Sequence, residues 1–226
     1  MRKYYYVFMI ILLSFFPINQ RIEEENQNYT LTKEVSVNLK EKLKSNDIFP
    51  PNENSRPREK EITHVMIHFI SNVVNNYKDP YNIYDIYDIF LDYGISAHYV
   101  IGRYGEIYCM VPENRVAYHA GKGNLEGFPE YKNKMNDYSI GIELLAIGTK
   151  EEMLPIISSE QYDLIDKSLI GYTEAQYESL NILLDSILIN NPSIIKDRKH
   201  IIGHDEYSKG VKTDPGSLFQ WEKIGL

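Results

Sequence analysis

Two runs, "ITHVMIHFI" at residues 62–70 and "SIGIELLAI" at residues 139–147, constrain the fold more than any other feature of the chain. The first is β-branched and apolar almost throughout, which marks a buried strand, with His68 close to its C-terminal end. The second is equally apolar but carries one carboxylate, Glu143. Helical periodicity lies between and after them. "YNIYDIYDIFLDYG" sets Ile83, Ile86, Tyr87 and Phe90 on one helical face and closes at Gly94. "TEAQYESLNILLDSILINNP" opens on a Thr173/Gln176 capping box, turns Tyr177, Leu180, Leu184 and Ile187 inward, and stops at Pro192. "SAHYVIGRYGEIYCMVP" reads as strands near residues 98–101 and 106–111 joined by a turn at Arg103-Tyr104-Gly105, and "IIKDRKHIIGHD" supplies a last short strand. Strands alternating with helices imply an α/β domain around one central sheet.

Outside these elements the chain is polar or signal-like. "MRKYYYVFMIILLSFF" places Arg2 and Lys3 ahead of an apolar run too short to cross about 30 Å of hydrocarbon comfortably. A secretory signal peptide over residues 1–19 is expected, with an uncleaved membrane anchor as the other reading, because no pair of small residues marks a cleavage site. Residues 20–60, charged and punctuated by Pro50, Pro51 and Pro57, read as a polar linker, which leaves residues 61–226 as a single domain. An exported protein of the bacterial envelope, periplasmic or secreted, follows from that start. The lone Cys109 permits no intrachain disulfide, and its apolar strand marks it as a small buried side chain rather than a nucleophile. A net charge of −8 without a basic stripe argues against a nucleic-acid partner.

Three residues sit in settings that do not suit their chemistry. His68 closes an apolar strand, Glu143 interrupts one, and His204 follows a strand and a glycine. Each has a plain structural reading, as a hydrogen-bonded core histidine or a carboxylate paired with some Lys or Arg. An unpaired buried carboxylate would cost several kcal/mol, so Glu143 must be paired, protonated or near a metal. Together with Asp214 the two histidines form a set of two imidazoles and one carboxylate, the donor type of catalytic zinc with a fourth position left for water. Glu143 is then free to act as general base. Lys212, two residues before Asp214, is within reach of a developing oxyanion.

The blocks "VMIHF", "SAHYVIGRYGEIYCMVPENRVAYHAG", "YSIGIELLA" and "IIGHDEYSKGVKTDPG" resemble, in this order, those of the type 2 N-acetylmuramoyl-L-alanine amidases, relatives of phage-lysozyme amidases and peptidoglycan recognition proteins. The resemblance runs from about residue 62 to residue 221, and "GHD" followed by "KTDPG" is its most specific part. It implies a central mixed β-sheet flanked by helices. It also implies a zinc-dependent hydrolase cutting the amide between the lactyl group of N-acetylmuramic acid and L-alanine in peptidoglycan or muropeptides. By similarity His68, His204 and Asp214 are the zinc ligands, Glu143 the catalytic carboxylate and Lys212 the oxyanion stabiliser. Because some relatives in this superfamily only bind peptidoglycan, a non-catalytic module is the alternative.

Two departures from the family pattern matter. Phage-lysozyme-like members carry a tyrosine where this chain has Ala97, which places the chain in the branch that relies on the glutamate. Tyr118 stands where the aromatic-His-Ala-Gly block often has Trp. The resemblance puts His98 and His119 near the groove as candidate substrate contacts, with a hydrogen-bonded role behind the site as the competing reading. His64 and His200 read as strand-end residues. The long connection after the Glu143 strand, "GTKEEMLPIISSEQYDLIDKSLIGY", is expected to lie over the groove.

Overall fold

The structure, a computed structural model, describes residues 45–50 and 52–226. The signal or anchor reading of residues 1–19 and most of the linker lie outside the described residues. Among the described residues no helix is long and apolar enough to cross a membrane.

Among the described residues eight strands, β1 (Ser45–Asp47), β2 (Ser55–Pro57), β3 (His64–Ile70), β4 (Tyr99–Ile101), β5 (Ile107–Cys109), β6 (Arg115–Ala117), β7 (Ser139–Leu145) and β8 (Ile201–Gly203), form two sheets. The larger has six strands in the order β1-β5-β4-β7-β3-β8. It is mixed: β3 runs parallel to both β7 and β8, β4 runs parallel to β7, and only β4–β5 is antiparallel. The expected α/β fold with a central mixed sheet is therefore present. Among the described residues six α-helices accompany it: α1 (Ile83–Tyr93), α2 (Met135–Tyr138), α3 (Lys150–Met153), α4 (Ser159–Asp163), α5 (Glu174–Asn190) and α6 (His204–Tyr207).

The caps form as the sequence implies. Asn82 caps α1 and Gly94 ends it in the left-handed conformation, while Thr173 and Gln176 exchange both bonds of a capping box at the start of α5. Tyr177, Leu180, Leu183, Leu184 and Ile187 of α5 are buried against Val65 and Ile67 of β3, Ile140, Ile142 and Leu144 of β7, and Ile201 of β8. Each such side chain contributes roughly 1.5–3 kcal/mol by leaving water.

Side chains alternate across a strand, so the residues between these face the other way. Met66 and Ile202 pack under α2 and α6, and Leu145 packs with Ile86 and Phe90 of α1. His68, Ser139 and Glu143 share this parity. Chemistry is thereby confined to the sheet face opposite α5.

The domain begins earlier than composition suggests. β1 pairs with β5, and β2 pairs with β6. Asn54 donates to the carbonyls of Phe90 and Ile95. The Arg58 guanidinium donates to the carbonyls of Glu113, Asp137, Arg115 and Ser139. The described part of the expected linker is polar because it satisfies loop carbonyls and sheet edges, which composition alone does not separate from a solvated tether.

Candidate metal centre

β3 and β8 end side by side, and each delivers a histidine at its C-terminal end, where open α/β sheets place their ligands. His68 lies in the last turn of the ladder on β3, and His204 opens α6 directly after Gly203. The loop that follows folds back on itself. Val211 and Lys212 donate their N–H groups to the Ser208 carbonyl, and Asp205 N–H donates to the Asp214 carbonyl at 2.8 Å. Asp214 therefore returns to the histidine that precedes it by ten positions.

The three side chains meet. Asp214 Oδ2 is 2.7 Å from His68 Nδ1 and 3.0 Å from His204 Nδ1, and the two nitrogens are 3.1 Å apart. Donors held about 2.0–2.2 Å from a tetrahedral zinc stand roughly 3.3–3.6 Å from one another, so this triangle is a few tenths of an ångström tighter than a ligand set and needs only a small spread to admit an ion. Its chemistry fits as well. His204 Nε2 faces the Ala120 carbonyl at 3.1 Å, and a carbonyl only accepts, so Nε2 bears the hydrogen and the Nδ1 lone pair is left facing His68 and Asp214. Burial lowers His68 to about 4, which keeps it neutral as a ligand must be. Burial alone would raise Asp214, but the contacts of its carboxylate with His204 and His68 outweigh it and hold the carboxyl below its usual range.

Glu143 is the register partner of His68 on the neighbouring strand and is only 8% exposed. Its Oε2 has no hydrogen-bond partner. Burial first, and then the Asp214 carboxylate, raise its pKa well above the carboxylate range, against a smaller opposing pull from Lys212. The salt-bridge reading of Glu143 is thus not realised by any direct pair among the described residues. Lys212, an exposed residue, lines the same cleft as Glu143, His68, His204 and Asp214. That cleft measures about 560 Å³.

The expected histidine contacts separate. His98 is fully buried behind the cleft: its Nδ1 accepts from Gly141 N–H at 3.0 Å, and Nε2 lies 3.2 Å from the Arg115 carbonyl. Burial and the adjacent Arg58 charge lower it to about 3. With Nδ1 held by Gly141 of β7, Nε2 beside the Arg115 carbonyl of β6 and the Arg58 guanidinium at 3.0 Å, and no place in the lining of the cleft, His98 ties β7 to β6. His119 does line the cleft, yet its ring nitrogens are engaged by His68 and Ser139. His64 packs edge-on against Phe128 and Tyr131.

Other contributors gave little sign in the sequence. Asn136 Oδ1 accepts from the N–H groups of His119 and Ala120 and so holds the "YHAG" turn. Glu152, in the connection expected over the groove, accepts from Ser217 N–H at 2.6 Å, and Thr213 donates to its carbonyl at 3.1 Å. These bonds tie α3 to the Asp214 loop, and Pro155 and Ile156 just beyond α3 line the cleft. Ser139 and Gly141 share the parity of Glu143, the one sequence signal that could have found them.

Comparison with known proteins follows the same line. The family model described as N-acetylmuramoyl-L-alanine amidase matches residues 58–217. The 1,6-anhydro-N-acetylmuramyl-L-alanine amidase AmpD of Haemophilus influenzae is 33% identical over 184 residues, covering 76% of this chain and 86% of that protein. Among solved structures, a selenomethionine derivative of AmpD superposes with a TM-score of 0.56 at 24% identity, over 80% of this chain and 93% of that one. The Escherichia coli amidase AmiD, solved with anhydro-N-acetylmuramic acid-L-Ala-D-γ-Glu-L-Lys, superposes with a TM-score of 0.52 at 25% identity, over 75% of this chain and 59% of that one.

Proposed function

Because the chain belongs to the N-acetylmuramoyl-L-alanine amidase family, we propose that it is a zinc-dependent amidase acting on muropeptides, those with an anhydro sugar included. The bond cut is the amide between the lactyl group of N-acetylmuramic acid and L-alanine. One observation carries the reading: His68 Nδ1, His204 Nδ1 and Asp214 Oδ2 converge beside an unpartnered buried carboxylate in a cleft large enough for a sugar–peptide junction. The substrate class rests on the names of the relatives that match.

His68, His204 and Asp214 would hold the ion. When bound, zinc supplies Lewis acidity, polarising the scissile carbonyl and easing deprotonation of water. Glu143 takes the proton from the attacking water through its free Oε2, and its raised proton affinity suits both that step and the return of the proton to the departing amine. Lys212 brings a positive charge to the same cleft, where it stabilises the tetrahedral oxyanion. Pro155 and Ile156 give one side of the cleft an apolar wall. The apolar run at the N-terminus supports an exported enzyme of the envelope.

The test is direct. The purified protein is incubated with an anhydro-muropeptide and with intact sacculi, and products are separated by mass spectrometry. Release of free L-alanyl peptide and free sugar is expected from the soluble fragment. Absence of cleavage by well-folded, zinc-supplied protein would overturn the reading.

A further inference from the structure

His68 Nε2 points away from the ligand triangle and lies 3.0 Å from His119 Nδ1. His119 Nε2 lies 3.2 Å from Ser139 Oγ, and Ser139 Oγ donates to the Met135 carbonyl at 2.7 Å. The rings of His68 and His119 meet edge-on, with centroids 5.1 Å apart. This approach requires Gly141, since a Cβ there would sit 2.4 Å from the His119 ring.

The direction of this chain follows from its last member. A carbonyl can only accept, so the single Ser139 hydroxyl hydrogen is spent on Met135. Ser139 Oγ must then accept from His119, which puts the His119 hydrogen on Nε2 and leaves Nδ1 as an acceptor. His68 consequently carries its hydrogen on Nε2 and turns the Nδ1 lone pair toward His204 and Asp214. Each ring keeps one proton throughout.

We propose that His119 and Ser139 are positioning residues for the metal centre, presetting His68 as an Nδ1 ligand through a relay anchored on the Met135 carbonyl. The inference rests on the metal reading above. His204 is preset in one step by the Ala120 carbonyl, whereas His68 Nε2 meets no carbonyl among the described residues and is reached through two side chains. His119 thus acts on the reaction through His68 rather than through the substrate.

The experiment is a competitive zinc titration of the full chain against a chromophoric chelator, with folding of every variant checked by circular dichroism. His119→Leu, which fills similar space without an acceptor, is expected to bind zinc about 10–100-fold more weakly. Ser139→Ala should weaken binding in the same direction by less. His119→Asn, whose amide oxygen can stand where Nδ1 stood, should stay within a few-fold of the parent. Asp214→Asn serves as the control for the ligand set. If Asp214→Asn weakens binding while folded His119→Leu and Ser139→Ala match the parent, the relay is overturned and the metal reading stands. If Asp214→Asn also binds like the parent, both fall. Should His119→Leu fail to fold, nitrogen-15 NMR of the zinc-loaded parent decides: His119 with its hydrogen on Nε2 supports the relay, and the hydrogen on Nδ1 overturns it.

Discussion

His68 and Glu143 are register partners on adjacent parallel strands, so an imidazole and a carboxylate leave the sheet side by side on the face that α5 does not cover. The sheet itself sets the distance between the proposed ligand and the proposed base. No loop has to move to bring them together, which is the kind of rigid support that catalytic geometry requires.

Replacing Glu143 should therefore separate chemistry from binding. Glu143→Gln keeps the shape and removes the base, and turnover should fall about 10²–10⁴-fold while zinc content stays at the parent value. Because a buried carboxylate without a partner is exchanged for a neutral amide, the unfolding midpoint should not fall. Steady-state kinetics, elemental analysis and urea unfolding check the three statements. Retained turnover would remove the base assignment.

Lys212 is exposed and carries no core contact, so Lys212→Met should fold normally. A charge aimed at the transition state affects kcat more than KM, and a loss of about 10²–10³ in kcat with KM little changed is expected. A variant with raised KM and unchanged kcat would instead assign Lys212 to substrate binding.

Acid should destabilise the fold before it denatures carboxylate pairs. Burial lowers His64 and His68 to about 4 and His98 to about 3, and His119 lies well below its ordinary value for the same reason. The unfolded chain takes up these protons near pH 6.5 and the folded chain does not, so their stability is complete above 6.5 and lost as pH falls toward 4. Each contributes up to about 1.4 kcal/mol per pH unit. Glu143 and Asp205, both raised mainly by burial, work in the opposite direction, two groups against four. Urea midpoints measured with chelator present should fall between pH 7 and pH 5, and a flat profile would contradict the account.

Cys109 is only partly buried, less so than its apolar strand implies, and offers a check on thiol chemistry. Burial pushes its thiol up to about 11, so little thiolate is present at neutral pH. Alkylation by iodoacetamide at pH 7.5 should be slow, and Cys109→Ala should leave turnover unchanged. Rapid alkylation coupled to loss of activity would contradict it.

The parts of the site legible in the sequence were those whose chemistry clashed with their setting. Glu143 in "GIELL" and the "GHD…KTDPG" block stand out because an apolar strand and a turn have no need of such residues. The helices were legible from caps and periodicity, and α5 follows its expected face residue by residue. Ser139 and Asn136 escaped notice because small polar residues near a strand start are ordinary. Their importance lies in partners twenty and seventeen residues away that only the fold supplies. His98 was placed in the groove by its block, but a histidine four residues after a helix cap looks the same in sequence whether it faces the cleft or the sheet behind it. Arg58 and the strands before it were hidden by a composition that suits a tether as well as an edge.

The central claim is that His68, His204 and Asp214 share one divalent ion on which turnover depends. Removing metal from the purified protein with a chelator, then restoring zinc, measures it most directly through bound zinc and rate of muropeptide cleavage together. The account predicts about one zinc per chain, loss of cleavage on stripping and recovery on reloading, with Asp214→Asn recovering neither. Full cleavage by metal-free protein would contradict it.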